Sequence, residues 1–532
     1  MDNIEAKYPF LRNFSGVDFR FSLYHKLFLT VLTGCLVFLA FPGFNYYLLC
    51  WIGYVPLILA TRESSYLESY LLGLLAGFIM LVGGFHWIAD WGDIVMGIPV
   101  PLHYLVIIGY ALAVGQLNGL IFLIFRWFQR KDFLHDIFAF PLILVTLFSF
   151  FPMLFYYKMG DSQSYFYSAL QGTDITGVFG LDFILGLSSI SVYYLLFKPF
   201  DKRNVICISV ACLIVLIWFG YGVTRLASMD ETISKWKTKR IGIVQPNRAA
   251  TLARPMPEKG YSRLYPLEIE MTRELKDKGA EAAFWPEGNF FGYVYWPQVK
   301  EAFQKHISQL GIPVLFHDTT LEVIKGKNHY FNSTLYLNEK GIMVDKYNKM
   351  IRVPIGEYMP LIGEIEFARE LLGDYLSSLS AGKEHKVFDL AGMRMIPLLC
   401  YESLFPLFVG EAAQTAPKGG VLLVQSQDGW YGETSASEVH TATTVLRAVE
   451  NRLPLVHAIN NGPSSIILPS GRIHFQTPAF KKGSWAADMP YDETSGGSFY
   501  RDHPYWFVNI IRFVFFLFCL IPIIRIRRAR SK

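Results

Sequence analysis

Six cysteines occur in the 532 residues, and five of them, Cys35, Cys50, Cys207, Cys212 and Cys519, lie in long apolar runs. The sixth, Cys400, ends a strand-like stretch, "MIPLLCYESLF", and is followed at once by Tyr401 and Glu402. A thiol is a useful nucleophile only as thiolate, and its ordinary pKa of about 8.5 calls for a nearby base or cation. Residues at the ends of two other strand-like runs could supply these. Glu287 stands in "WPEGN", where Trp285 and Pro286 predict an apolar setting and a raised pKa, suited to accepting and returning a proton. Lys349 stands in "YNKMIRVPIGEYMP", where an ammonium would favour the thiolate and then stabilise an oxyanion. Together the three groups suffice for acyl transfer through a thioester. Spacing alone leaves a plainer reading open: a buried core cysteine, with a glutamate and a lysine solvated at strand ends.

The elements that must position these groups are legible between about 225 and 503. Strand-like runs recur there, among them "RIGIVQPN", "AAFWPEGN", "IPVLFHD", "NSTLYLN", "GIMVDKYNK", "GVLLVQSQD", "LPLVHAIN" and "SSIILPSG". Helical patterns, "LYPLEIEMTRELKDKG" and "SASEVHTATTVLRAVENR", lie between some of them. Strands apolar on both faces and alternating with helices predict a layered α/β domain. Glu287, Lys349, Cys400 and Asp428 all fall at strand ends, where α/β folds commonly build sites. No glycine-rich phosphate loop and no Cys/His cluster spaced for a metal is present, so neither cofactor nor metal is expected.

The rest of the chain is of another kind. Hydrophobic residues make up 52% of the whole and charged residues only 17%, an apolar surplus over ordinary soluble domains. Runs of about 17 to 25 apolar residues, enough to cross a bilayer core, suggest eight spans: 24–40, 45–60, 68–89, 103–127, 136–155, 175–197, 203–224 and 504–524. Pro56 interrupts the second, and Arg512 in the last must snorkel or face protein. The expected division is a seven-span membrane domain (1–224), a catalytic domain (225–503), and a final span with basic tail (504–532). Arg20, Lys26, Arg62, Arg126, Arg130, Lys131, Lys198, Lys202, Arg203 and the tail "RIRRARSK" all fall on one side of this arrangement. The opposite loops "FPGFN" and "ADWGD" carry no basic residue, and the loop after the fifth span carries only Lys158. Both termini are therefore expected in the cytoplasm, and residues 225–503 beyond the inner membrane. The net charge of +5 follows from topology and implies no nucleic-acid partner. No cleavable signal peptide is expected at the N-terminus.

"WPEGN", "YNKMIRVPIGEYMP" and "LLCYES" resemble, in order, the three signature segments of the nitrilase (carbon–nitrogen hydrolase) superfamily. Eight spans around that domain narrow the resemblance to its membrane-embedded branch, the apolipoprotein N-acyltransferase family. "FPGFNYYLLCWIGYVPL", "GGFHWIADWGD", "LQGTDITGVFGLDF", "DGWYG", "LRAVENR" and "INNGPSS" are similar to further segments of that family, over roughly residues 24–524. The resemblance implies an αββα sandwich on the outer face of the bacterial cytoplasmic membrane. It implies a Glu287–Lys349–Cys400 triad, with Asn332, Glu357, Tyr401 and Glu402 around the pocket. It also implies a phospholipid acyl donor and a diacylglyceryl apolipoprotein as acceptor; a monomer is expected. Glu402 reads equally as a structural carboxylate orienting Lys349, and Tyr401 as packing beneath the site. The stretches "NFFGYVYWP" and "YMPLIGEIEF" read equally as lipid-touching loops and as core.

Four departures from the family pattern bear on the pocket. Gln427 replaces an asparagine, Arg352 a leucine and His457 an arginine, and "VQPNRAATLARPMP" lacks an expected tryptophan. Two rival readings stay open: a membrane-tethered amidase or nitrilase using water, and a divergent lipoprotein-binding paralogue without catalysis.

Overall fold

The computed structural model describes residues 21–131, 134–251, 255–358 and 379–530, without the side chains of Lys131 and 521–530. Arg20, the charged ends of the basic tail, and all of "YMPLIGEIEF" after Tyr358 therefore lie outside the described side chains.

Among the described residues, five helices are long and apolar enough to cross a membrane: Leu23–Ala40, Tyr66–Gly84, Tyr104–Lys131, Val178–Phe197 and Lys202–Ile233. Asp136–Phe150 and the apolar part of Trp506–Arg530 are shorter. The stretch 45–60 is not one helix. It is a 3-10 turn, Tyr47–Trp51, followed by Val55–Ala60, which Pro56 starts rather than interrupts. The stretch 68–89 also divides. Its helix ends at Gly84, and a separate helix, Ile88–Met96, reaches the end of the soluble domain that carries Asp428–Tyr431. Arg512 faces protein, bonding Ser149 O at 2.9 Å and lying over the Phe150 ring. Lys158, the one basic residue of the loop after the fifth expected span, is buried, with its ammonium on Phe148 O and over the Tyr156 ring.

The α/β part contains two six-stranded sheets. One runs β12-β1-β2-β3-β4-β5 and the other β11-β10-β9-β8-β7-β6. In the first sheet β1 is Lys237–Gln245, β2 Ala282–Phe284, β3 Val314–Ile324, β4 Lys327–Leu337, β5 Met343–Asn348 and β12 Gly483–Tyr491. In the second, β6 is Phe388–Leu390, β7 Met393–Leu399, β8 Gly420–Ser426, β9 Leu455–Ile459, β10 Ser465–Ile467 and β11 Ile473–Gln476. The centres β1-β2-β3 and β7-β8-β9 are parallel, and the edges are antiparallel.

The apolar pattern of the strands follows from burial on both faces. Ile243, Phe284 and Leu315 of one sheet pack on Met395, Leu423 and Val456 of the other. Outside the first sheet, helices Leu267–Asp277 and Pro297–Leu310 cover Ala283, Trp285 and Phe316. Outside the second, helices Pro406–Gln414 and Ala436–Asn451 cover Leu398, Leu422 and Val424. The result is an αββα sandwich whose last helical layer shares one continuous core with the membrane helices.

Buried charges fasten that junction. Glu450 Oε1 accepts the N–H of Val178, the first residue of a membrane helix, at 2.8 Å. Arg452 lies 2.8 Å from Asp174. Both come from "LRAVENR", the last turns of the long helical pattern and its cap.

Candidate active site

Each candidate group sits just past the end of a strand. β5 runs in the same direction as β3 because it is antiparallel to β4, itself antiparallel to β3. The C-terminal ends of β2 and β5 in one sheet and β7 in the other thus carry Glu287, Lys349 and Cys400. Gly288 at φ 103° turns the chain after Glu287. Cys400 has φ 46°, an uncommon conformation for a residue with a Cβ, and it opens the 3-10 turn Cys400–Leu404.

The three meet. Lys349 Nζ lies 3.4 Å from Glu287 Oε1 and 2.8 Å from Glu357 Oε1. Asn332 Nδ2 bridges the same two carboxylates at 2.8 and 2.7 Å, and Cys400 lines one cavity with Glu287 and Lys349. Glu357 is itself fixed by the N–H of Val353 at 2.8 Å. His317, which nothing in the sequence singled out, holds Asn332 through its Nε2.

Burial pushes the Glu287 carboxyl up, but Lys349, then His317 and bonds from Asn332 and Cys400, outweigh it and hold it below the ordinary value. The raised pKa expected beside Trp285 is therefore corrected. Trp285 points to the opposite side of its strand, into the outer helical layer, where its Nε1 donates to Thr272. Lys349 moves the other way: burial lowers it, and Glu287 and Glu357 raise it further. Burial, then Glu287, push the Cys400 thiol well above its ordinary range despite Lys349. At rest the site is a thiol, a carboxylate and an ammonium.

Glu402 is engaged with the backbone on both sides of the site. Its carboxylate accepts from Tyr347 Oη at 2.8 Å, Met350 N at 2.6 Å, Ile351 N at 3.1 Å and Leu399 N at 2.8 Å. It ties the residues after Lys349 to the strand before Cys400. Tyr401 packs its ring on Phe405 and donates its hydroxyl to Leu154 O, among the membrane-side segments.

Two cavities meet at Cys400 and Tyr431. The larger, about 290 Å³, is lined by Glu287, Lys349 and Asn332, with Trp91 and Phe290 at its walls. The smaller, about 50 Å³, is mostly apolar and runs between Phe41, Phe85, Trp87, Leu404 and Val439. Of "NFFGYVYWP", Phe291 and Tyr293 belong to the core, held by Asp318, which accepts their N–H groups. The departures are accommodated locally. Gln427 accepts from Asn460 at 2.8 Å, Arg352 donates to Leu379 O at 2.7 Å, and His457 meets Ser426 Oγ at 2.9 Å.

Among the described residues, one grouping has metal-ligand chemistry: Cys400, Asp428 and His440, with atoms within 4.8 Å of one another. Both His440 nitrogens are already engaged, Nδ1 with Asp428 and Nε2 with Ser403 and Cys400 O. It was invisible in sequence because its members come from three separate elements.

Known proteins share this layout. Residues 33–191 match the apolipoprotein N-acyltransferase N-terminal domain, and residues 244–495 match the carbon–nitrogen hydrolase domain. An apolipoprotein N-acyltransferase of Geobacter metallireducens is 26% identical over 505 residues, 89% of this chain and 90% of its own. One from Chlorobaculum tepidum is 25% identical over 537 residues, covering 90% and 92%. Among solved structures, an amidase from the nitrilase superfamily of Nesterenkonia AN1 is 20% identical with a TM-score of 0.36, covering 48% of this chain and 92% of that one.

Proposed function

We propose that this chain, which belongs to the apolipoprotein N-acyltransferase family, moves an acyl chain from a phospholipid to the α-amino group of a diacylglyceryl-cysteine at the N-terminus of an apolipoprotein. The observation that carries the reading is the position of Cys400. It shares a cavity with Glu287 and Lys349 and stands between that polar cavity and an apolar one that reaches the membrane helices.

Glu287, Lys349 and Cys400 are the catalytic triad in this reading. Cys400 Sγ attacks the ester carbonyl as its proton passes to Glu287. A thiol held so high beside a carboxylate held low does not ionise beforehand, so proton transfer accompanies C–S bond formation. Lys349 and the Tyr401 N–H receive the oxyanion. Collapse expels the lysophospholipid alkoxide, which takes the proton back from Glu287, and leaves a thioester. The acceptor amine then attacks the thioester, gives a proton to Glu287, and the sulfur leaves and is reprotonated. Glu357 holds Lys349, Asn332 orients both carboxylates, and Glu402 anchors the two loops.

Each methylene taken from lipid into water would cost about 0.8 kcal/mol, so both lipid chains favour a site seated on the bilayer. A hydrolase of soluble amides would have no use for an apolar cavity opening onto helices. Residues 1–224 and 504–532 are proposed to lie in the bacterial inner membrane, with both termini cytoplasmic and 225–503 periplasmic.

Incubation with phospholipid alone tests the order of events. Acyl label should appear on Cys400, be released by neutral hydroxylamine, and pass to an added diacylglyceryl peptide. Acyl-enzyme that forms only when the acceptor is present would overturn the two-step reading.

A further inference from the structure

Asp428 and His440 have no part in the steps above, yet they reach the backbone of the nucleophile. His440, buried in helix Ala436–Asn451, lies with Nδ1 3.0 Å from Asp428 Oδ1. Its Nε2 lies 2.8 Å from Ser403 Oγ and 3.3 Å from Cys400 O. Ser403 Oγ donates its own proton to Cys400 O at 2.8 Å. The ring nitrogens face a carboxylate oxygen, a hydroxyl able to give or take a proton, and a carbonyl. A ring with both nitrogens protonated satisfies all three while Ser403 donates to the carbonyl. The electrostatics agree: burial opposes the charge, but Asp428 outweighs it and raises the His440 pKa.

The grip on Cys400 O has a geometric consequence. The Cys400 carbonyl and the Tyr401 N–H belong to one planar trans peptide and point in opposite directions. Holding the carbonyl toward His440 and Ser403 fixes the direction of the N–H as well. It also fixes the left-handed conformation of Cys400, φ 46°. A carbonyl that accepts from a cationic ring polarises its amide and strengthens the N–H as a donor.

We infer that Asp428, His440 and Ser403 are positioning residues for the oxyanion site: they hold and polarise the Cys400–Tyr401 peptide so that the Tyr401 N–H is preset for the developing oxyanion. The inference rests on the thioester reading. Its distinguishing property is that it concerns carbonyl addition alone, not the reactivity of the sulfur as such.

Two reactions of the same sulfur separate these. Acyl loading from phospholipid develops an oxyanion. Alkylation by iodoacetamide forms a C–S bond and expels iodide without one. Ser403→Ala and His440→Leu in the full-length, membrane-reconstituted protein should each lower the kcat of loading by about 10²-fold, with KM for phospholipid changed less than about threefold. Alkylation of Cys400 should stay within about threefold of wild type in both. Equal losses in loading and alkylation would overturn the inference by reducing the residues to general support of the fold, and so would loading unchanged in both variants. A wild-type protein that alkylates but never loads overturns the thioester reading itself, and this inference with it.

Discussion

Lys349 stands closer to Glu357, at 2.8 Å, than to Glu287, at 3.4 Å. Glu357 thus shares with Glu287 the work of neutralising the ammonium, and Asn332 and Lys349 both meet Glu287 at Oε1, which leaves Oε2 for the Cys400 thiol. Glu357→Gln should release Lys349 onto Glu287 and deepen the depression of its pKa, making it a weaker base. Loading of Cys400 should slow by about 10- to 100-fold, the lower part of the range for general-base catalysis. Labelled phospholipid and a time course of acyl-enzyme would measure it; a rate equal to wild type would remove Glu357 from the site.

Cys400→Ser should leave no acyl transfer above a trace while the protein still inserts and unfolds as before. The hydroxyl needs a far stronger base than the low-lying Glu287 carboxylate. Retained turnover, read by mass spectrometry of a lipoprotein N-terminus, would refute the assignment. Lys349→Ala should lose about 3 to 4 kcal/mol of transition-state stabilisation, if it resembles removal of one oxyanion donor.

The acid limb of loading should lie below pH 4.5, because the net effect on Glu287 is downward from that ordinary value. The sign follows from the group that must be ionised: the carboxylate persists as pH falls until its depressed pKa is reached. Asn332→Leu removes a hydrogen bond that favours the carboxylate and leaves burial less opposed. Its acid limb should move to higher pH. A pH–rate profile of the two proteins decides this, and an unmoved limb would mean that Asn332 does not tune Glu287.

Glu402→Gln should destabilise rather than merely slow the protein. The carboxylate accepts four hydrogen bonds in a fully buried place, and an amide N–H₂ turned toward one of those donors leaves it unpaired. A loss of about 1 to 3 kcal/mol is expected, read as a lowered unfolding midpoint by intrinsic fluorescence. An unchanged midpoint with lost activity would assign Glu402 to the chemistry instead.

Orientation can be read from a single engineered thiol. Lys340→Cys places one on an exposed turn between β4 and β5. A membrane-impermeant maleimide should label it in cells whose outer barrier alone has been opened. Labelling that requires lysis of the inner membrane would reverse the proposed topology.

Much of this was legible in the residues. Nine of the twelve strands stood out as apolar runs because the sheets are covered on both faces. β6, β11 and β12 did not: two are only 3 and 4 residues long, and β12 pairs as an edge with mixed burial. Helices Pro297–Leu310 and Pro406–Gln414 each begin with a proline at the first helical turn, a start signal that could have revealed them. The triad was legible as residue types at strand ends, while its electrostatics were not. Whether Trp285 or Lys349 governs Glu287 depends on which face of the strand each occupies. His317 and His440 needed the fold, since no local pattern brings a histidine from a helix to the carbonyl of a cysteine on another element; Asp428 was legible as a strand-end carboxylate, but not its partner.

The buried bonds of Glu450 to Val178 N and of Arg452 to Asp174 have a consequence for anyone who would cut the chain. Val445 and Val449 of helix Ala436–Asn451 belong to one core that runs on into the membrane helices. Excised as 225–503, the α/β part would bare that greasy underside together with a guanidinium stripped of Asp174. It would clump rather than dissolve. In this protein the anchor doubles as the fourth wall of the reaction chamber, and no water-soluble miniature of it can be made by trimming.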